Sequence, residues 1–332
     1  MDSETPIQIP VFDLSKGAQT LAQGARARAY NNACRDVCEA LARFGCFEAA
    51  YDGLPDGLRD DMFEAMRQAF DLPEEAKRRN TSDKPYFGRT GRSAISPLYE
   101  SLGVEGAEEF EKAKEFTQLL WPGGNNFFCE TLNSVSAKLL ELNLIVTKMI
   151  FHGLGVPYDA AAAVSESSIF RVMKYDAPSA VGSAVVLVPH TDKNTLTVLV
   201  QQGGVQGLEV LVDGDRWVPL APRDGYFVVI AGEILKLWLE WQAWSNGRLT
   251  AAKHRVVLTP EKDRYSFGSF TLPETSSVVK PPEELVDEAH PPRYKPFEFL
   301  GYLRHVEANA RTMYLSGEDS IDVYATAAAA SV

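Results

Sequence analysis

Cysteine is scarce, with four residues in 332: Cys34, Cys38, Cys46 and Cys129. So thin a supply excludes a disulfide scaffold. Cys34 and Cys38 fall four apart on an expected helix, but no Cys-x-x-Cys or histidine pair stands beside them. Buried reduced thiols are the expected state, and a zinc site is not. Long apolar runs are also missing: no window approaches ~18 uninterrupted apolar residues, so no membrane span is expected. Positive charge is in deficit, 33 Lys plus Arg against 45 Asp plus Glu, a formal net charge of −12. Non-specific nucleic-acid binding needs a basic surface to displace counterions, and this balance argues against it. The start, Met-Asp-Ser-Glu-Thr-Pro, is acidic and lacks the apolar core of a secretory signal. The expectation is a cytoplasmic monomer whose partner is a small molecule, with no membrane and no nucleic acid.

What is present is an ordinary globular composition, 45% hydrophobic and 23% charged, with room for one large domain or two smaller ones. IQIPVFDL alternates apolar residues from Ile7 to Phe12 and predicts an edge strand carrying Pro10. Apolar positions at helical spacing predict helices from about Ala22 to Arg43 and over Asp56 to Phe70, and residues 80–97 read as a loop. The longest helical pattern runs from about Asn125 to His152, its stripe formed by Leu132, Val135, Leu139, Leu140, Leu144, Val146 and Ile150. From Ser168 to Leu272 the pattern changes to short Val-rich runs separated by Gly, Asp and Asn, which indicates a sandwich or barrel. Pro-rich loops follow, then a helix from about Pro296 to Ala310 and a frayed TAAAASV end. No flexible linker divides the helical and strand-rich halves, so residues 1–160, 165–275 and 276–332 are expected to form one structural unit.

Histidine is rare too: His152, His190, His254, His290 and His305. His190 lies in VPHTDKNTLTVL with Asp192 two positions on, a spacing that puts both on one face of an extended strand. His254, in AAKHRVVL, falls on a later strand. Two histidines and a carboxylate make the facial triad of non-haem Fe(II), with coordination positions left open. Taken alone, His-x-Asp is a weak signal. Ten residues past His254, RYSFGSF sets Arg264 and Ser266 two apart on an apolar strand. A guanidinium buried there is costly without an anionic partner, and Arg grips carboxylates through paired hydrogen bonds. Triad and clamp together suggest a small dicarboxylate held between them.

These residues, in this order, resemble the plant-type 2-oxoglutarate/Fe(II)-dependent dioxygenases over nearly the whole chain. IPVFDLS, CEALARFGCFEA and FDLPEEAKRRN resemble the family's helical N-terminal region; HTDKNTLTVL, GLEVL, WSNGR, HRVVLT and RYSFGSF resemble its catalytic core. SPLYESLG, FTQLLWP, FRVMKY and EELVDEAHPPRYKPFEF are most similar to the AOP-type branch, which includes glucosinolate side-chain oxygenases, and to the related DAO-type auxin oxidases. The resemblance implies an α+β fold, a distorted jelly roll or double-stranded β-helix flanked by N-terminal helices and a C-terminal helix. It implies Fe(II) on His190, Asp192 and His254, and 2-oxoglutarate on Arg264 and Ser266 with Tyr175 of FRVMKY as a further contact. O2 is the second cosubstrate and ascorbate a supporting reductant. The implied reaction hydroxylates, desaturates or otherwise oxidises a small metabolite of plant specialised metabolism or a hormone, releasing succinate and CO2. Phe87, Phe270 and Leu272 are candidate walls of the substrate pocket.

One stretch departs from the family pattern. Between Gly232-Glu233 and Trp244-Ser-Asn-Gly the chain inserts ILKLWLEWQA, with Trp238, Trp241 and Trp244 close together. The segment is longer than the pattern by about six residues, an even number that preserves strand alternation. An extended hairpin or bulge that leaves the core intact is the favoured expectation. The alternatives are a substrate lid built from the tryptophans, or a perturbed strand before His254 that impairs activity. The last motivates a second functional reading, a jelly roll that binds a small molecule without turnover. A third, a zinc hydrolase on the same ligands, would leave Arg264 and Ser266 without a purpose.

Overall fold

The computed structural model describes residues 7–15, 25–155, 166–179, 182–239, 251–280, 294–316 and 320–325. The strand-rich half folds as two facing sheets. Strands β4 (Glu166–Tyr175), β5 (Ala184–His190), β6 (Leu196–Gln201), β7 (Leu208–Val212), β8 (Arg216–Pro219), β9 (Tyr226–Ala231), β10 (His254–Leu258) and β11 (Arg264–Pro273) pass back and forth between them. The major sheet takes β9-β6-β11-β4 in that order and the minor sheet β5-β10-β7-β8. That alternation makes a jelly roll. Three earlier strands widen the major sheet: β1 (Val11–Asp13), β2 (Cys46–Ala50) and β3 (Tyr99–Glu105). All of its pairings are antiparallel except β1 with β2.

The N-terminal strand is shorter than the alternation suggested, beginning at Val11 rather than Ile7. Proline has no N–H to give a ladder; here Pro10 contributes only its carbonyl, which accepts from Glu48 N at 2.9 Å.

Helices α1 (Ala25–Phe44), α2 (Asp56–Phe70), α3 (Glu74–Lys77), α4 (Phe110–Leu120) and α5 (Asn126–Gly153) precede the jelly roll. Asn125 caps α5, its side-chain oxygen accepting from Phe128 N at 3.1 Å. Helix α5 lies against the outer face of β6 and β11, with α1, α2 and α4 packed on it. Its buried stripe passes through Leu132, Val135, Leu139, Leu142, Val146 and Ile150. Leu140 and Leu144, expected in the stripe, are only half-buried. The periodicity was disguised by Asn143, fully buried although polar because its amide donates to Ser269 O at 3.3 Å on β11.

The extended hairpin expected after Gly232 is not what forms over residues 233–239: Glu233–Leu239 is helix α6. Every residue from Glu233 to Leu237 is buried, so the segment shows none of the in-and-out alternation of a half-exposed strand. Glu233 fixes the start of the helix. It is fully buried and accepts from Tyr302 OH at 2.6 Å, Ile321 N at 2.8 Å and Ser320 Oγ at 3.0 Å, and from Lys193 and Thr191. Burial works to raise its pKa, but Lys193 and the donated hydrogen bonds outweigh that and hold the carboxyl below its ordinary value. The loop after His190 is thereby tied to the C-terminal helices α7 (Phe299–Ser316) and α8 (Ser320–Ala325). Trp241, Trp244 and the side chain of Trp238, on which the expected lid and perturbed strand rest, lie outside the described residues.

Two apolar clusters flank the major sheet. The outer one runs from Leu14 to Ala325 and packs the helices on it; the inner one, with Val186, Val210, Val228 and Val256, lies between the sheets. The four cysteines are free and buried, and burial lifts the Cys38 and Cys46 thiols to about 12. Among the described residues no helix is long and apolar enough to cross a membrane.

Candidate active site

Period-two alternation puts Tyr175, Met173, Arg171 and Ile169 of β4 on the inner face of the major sheet. Arg264, Ser266, Gly268 and Phe270 of β11 stand opposite them in that order. On the minor sheet His190, the last residue of β5, pairs directly with His254, the first of β10. Their rings sit 4.2 Å apart between centroids. The β5–β10 register slips just past this pair, between His254 and Val257, a bulge of the kind that re-aims side chains beside a site.

Asp192 is just beyond the end of β5, so strand alternation alone does not aim it. Thr197 Oγ1 donates to its Oδ2 at 2.6 Å, and its carbonyl accepts from Glu233 N at 2.9 Å. Gly232 packs against this loop so closely that a Cβ there would stand 2.0 Å from Asn194 O. The free oxygen, Oδ1, lies 3.9 Å from His190 Nε2 and 3.8 Å from His254 Nε2. Among the described residues these three form one cluster whose ligand atoms all lie within 4.8 Å of one another.

The donor set fits a divalent cation. His190 Nδ1 and His254 Nδ1 each lie 2.9 Å from a backbone carbonyl, of Val188 and Ala252. Donating there fixes the tautomer and leaves both Nε2 lone pairs facing Asp192. Desolvation in the cavity wall and the adjacent His254 hold His190 below its ordinary pKa, which favours the neutral ring that a metal ligand must be.

Arg264 is completely buried. Nη2 donates to Gln201 Oε1 at 2.8 Å and Nη1 to Ser266 Oγ at 3.3 Å, while Nε has no partner among the described residues. The guanidinium sits 4.9 Å over the Tyr175 ring. Burial pulls its pKa down, partly offset by Tyr175, but a guanidinium stays charged. An unneutralised cation in such a place costs free energy that an anion would recover. His190, Asp192, His254, Arg264 and Tyr175 all face one cavity of about 700 Å³, which Phe87, Phe270 and Leu272 also line. That volume accommodates a cosubstrate and a further small molecule.

Comparison with known proteins agrees with this arrangement. Residues 167–273 match the 2OG-Fe(II) oxygenase superfamily, and residues 9–117 match the N-terminal family described as non-haem dioxygenase in morphine synthesis. An Arabidopsis thaliana protein named as a probable 2-oxoglutarate-dependent dioxygenase, AOP1, is 39% identical over 311 residues, 91% of this chain and 92% of its own length. The chain belongs to the 2OG-Fe(II) oxygenase superfamily. Solved structures of oxygenases agree. The rice dioxygenase for auxin oxidation superposes with a TM-score of 0.74 at 31% identity, covering 96% of this chain and all of its own. The Arabidopsis thaliana dioxygenase for auxin oxidation 1, in complex with 2-oxoglutarate, gives 0.72 at 26% identity, covering 86% and 100%.

Three residues of this oxygenase's site went unnoticed in the sequence. Thr197 and Gln201 sit on the mainly apolar strand LTVLVQ, and only its pairing with β11 shows that they face inward. Arg171 did leave a signal, a lone charge in the middle of SIFRVM.

Proposed function

We propose that this oxygenase holds Fe(II) on His190 Nε2, Asp192 Oδ1 and His254 Nε2, and the distal carboxylate of 2-oxoglutarate on Arg264 and Ser266 with Tyr175 beside them. The observation that carries the assignment is the shared cavity: three converging ligand atoms at one place in its wall and, at another, a fully buried guanidinium that has no carboxylate partner among the described residues. When bound, the iron supplies oxidation of an unactivated C–H bond by O2, coupled to conversion of 2-oxoglutarate to succinate and CO2, with ascorbate as a supporting reductant.

The protein's own part is orientation and enclosure. The Val188 and Ala252 carbonyls fix the imidazole tautomers, and Thr197 holds Asp192 so that one carboxylate oxygen remains for the metal. Tyr175 and Gln201 hold the Arg264 fork in place before its anion arrives. Phe87, Phe270 and Leu272 wall the substrate space and keep water from it. The substrate is a small metabolite, and the plant relatives favour specialised metabolism or a hormone. We read residues 1–160, 165–275 and 276–332 as one monomeric unit, supported by the apolar cluster that reaches from Leu14 to Ala325. The four free thiols favour a reducing compartment, the cytoplasm.

The test follows succinate formed from 2-oxoglutarate under O2 with Fe(II) and a broad substrate panel, alongside His190→Ala and Arg264→Ala. Turnover well above both variants is expected; turnover no higher than theirs, with iron bound, would sink the proposal. Ligand-induced stabilisation without any succinate would instead favour the binding protein without turnover.

A further inference from the structure

Asp192 lies beyond the end of β5, so the groups that hold its loop are the groups that aim it. The first N–H groups of a helix have no partner within the helix. At the start of α6 the loop takes them up: Gly232 N donates to Thr195 O at 3.0 Å, Glu233 N to Asp192 O at 2.9 Å and Ile234 N to Asn194 O at 3.1 Å. The Glu233 carboxylate grips the same loop from the side. Its Oε1 accepts from Thr191 Oγ1 and Lys193 Nζ, the residues immediately before and after Asp192.

The other oxygen serves the C-terminal helices. Oε2 accepts from Tyr302 OH on α7 at 2.6 Å and from Ile321 N on α8 at 2.8 Å. Ser320 Oγ lies between the two oxygens, 3.0 Å from Oε1 and 3.2 Å from Oε2. Phe299, Leu303, Val306, Ala310 and Met313 fall three or four apart along one face of α7, and that face lines the cavity. The wall that a substrate meets and the loop that a metal meets therefore share one fully buried carboxylate. Such a group cannot replace a lost donor with water, so loosening one half of its network costs the other.

We propose that Glu233 is a positioning residue that couples the seating of α7 and α8 to the metal site, so that metal affinity at Asp192 depends on the C-terminal wall of the cavity being in place. The proposal rests on the assignment of Fe(II) to His190, Asp192 and His254. Its consequence is reciprocal: whatever the seated helices add to metal affinity, bound metal adds to the seating of the helices. A carboxylate that only knits the fold together carries no such metal dependence. Glu233→Gln by itself is ambiguous, because it also leaves the Lys193 charge uncompensated beside the metal loop. Tyr302→Phe and Ser320→Ala are the sharper variants, since neither alters a charge and both side chains donate to Glu233 rather than to the loop.

Co(II) is the probe, because imidazole and carboxylate ligands take it somewhat more tightly than Fe(II). It is titrated into the full chain and read by calorimetry and by visible absorption, which reports the coordination of the ion. Amide hydrogen exchange over α7 and α8 is followed with and without Co(II). The Tyr302→Phe/Ser320→Ala double variant should bind Co(II) about fivefold more weakly, the low end of the usual range for coupled sites. Glu233→Gln should bind it about 30-fold more weakly, with an altered absorption spectrum, as is usual for groups that orient a ligand. In the wild type, Co(II) should slow exchange over both helices by about the fivefold that the double variant loses in affinity; in Glu233→Gln that slowing should vanish. Unchanged Co(II) affinity in the double variant, or wild-type exchange indifferent to Co(II), overturns the coupling and leaves the oxygenase reading standing. Wild-type protein that binds no Co(II), or binding that survives Asp192→Ala undiminished, overturns the metal assignment and the coupling with it. If a variant fails to fold, the wild-type exchange comparison still decides, since it needs none.

Discussion

The two faces of the major sheet belong to the same strands and do opposite work. On the outer face Leu196, Val198, Val200, Phe170, Val172 and Phe267 pack the helices in a mainly apolar layer. On the inner face the residues in between are Thr197, Gln201, Arg171, Tyr175, Arg264 and Ser266. One face supplies stability; the other gives up some of it to keep polar and charged groups poised around a cavity. Because the period is two, a change of one position moves a substitution from one role to the other.

Breaking the inner face at the metal should have the largest effect. Asp192→Ala removes the carboxylate proposed to hold the metal between the two histidines, and activity should fall by about a thousandfold or more, the several kcal/mol that a metal centre contributes. Loss of bound Fe(II), measured by metal analysis after desalting, checks it. Breaking the outer face should cost folding instead. Phe267 is completely buried, with ring contacts to Phe63 at 5.0 Å and Phe170 at 5.9 Å, so Phe267→Ala should destabilise the protein by ~3–5 kcal/mol in urea unfolding.

Arg264→Met sharpens the contrast. Removing one partner of a buried charge pair costs about 2–5 kcal/mol of binding. The KM for 2-oxoglutarate should therefore rise by about two orders of magnitude. The ligand-free protein should unfold at the same urea concentration or higher, because a buried unpaired cation has been replaced by an apolar chain of similar length. The smallest of the four is Thr197→Val, which removes the hydrogen bond to Asp192 and the one accepted from Asn194, whose amide keeps Leu196 O. Metal affinity should drop by ~10–100-fold with little change in stability, as is usual for groups that orient a ligand. A titration of Fe(II) binding separates it from Asp192→Ala.

Much of this was legible in the chain. His190, His254 and Arg264 could be picked out because charged and imidazole side chains are conspicuous in Val-rich strands, and Asp192 and Ser266 because they follow His190 and Arg264 by two positions. The long helix and the helix over Asp56 to Phe70 were legible because their apolar periodicity is strong. Helix α6 was missed because strand alternation was extended across Gly232, where a buried carboxylate starts a helix instead. The stripe of α5 was misplaced by one buried asparagine. Gln201 and Thr197 were illegible because their roles depend on which strand lies beside them.

The sequence by itself determined the kind of chemistry, since only a few side-chain types ligate a metal or fork onto a carboxylate, and their spacing survives in one dimension. It also determined which residues alternate along each strand. Tertiary structure alone decided which of the two faces meets the cavity, through the pairing of β4 with β3 and β11. It brought His190 and His254, 64 positions apart in sequence, onto one rung of the minor sheet. It also set Arg171 between Gly103 and Gly268, with its hydrogen bonds going to the neutral Ser101 Oγ and Tyr86 carbonyl. The physical reason is that a strand's side-chain period is local, whereas the partner that buries or exposes each face arrives from far along the chain.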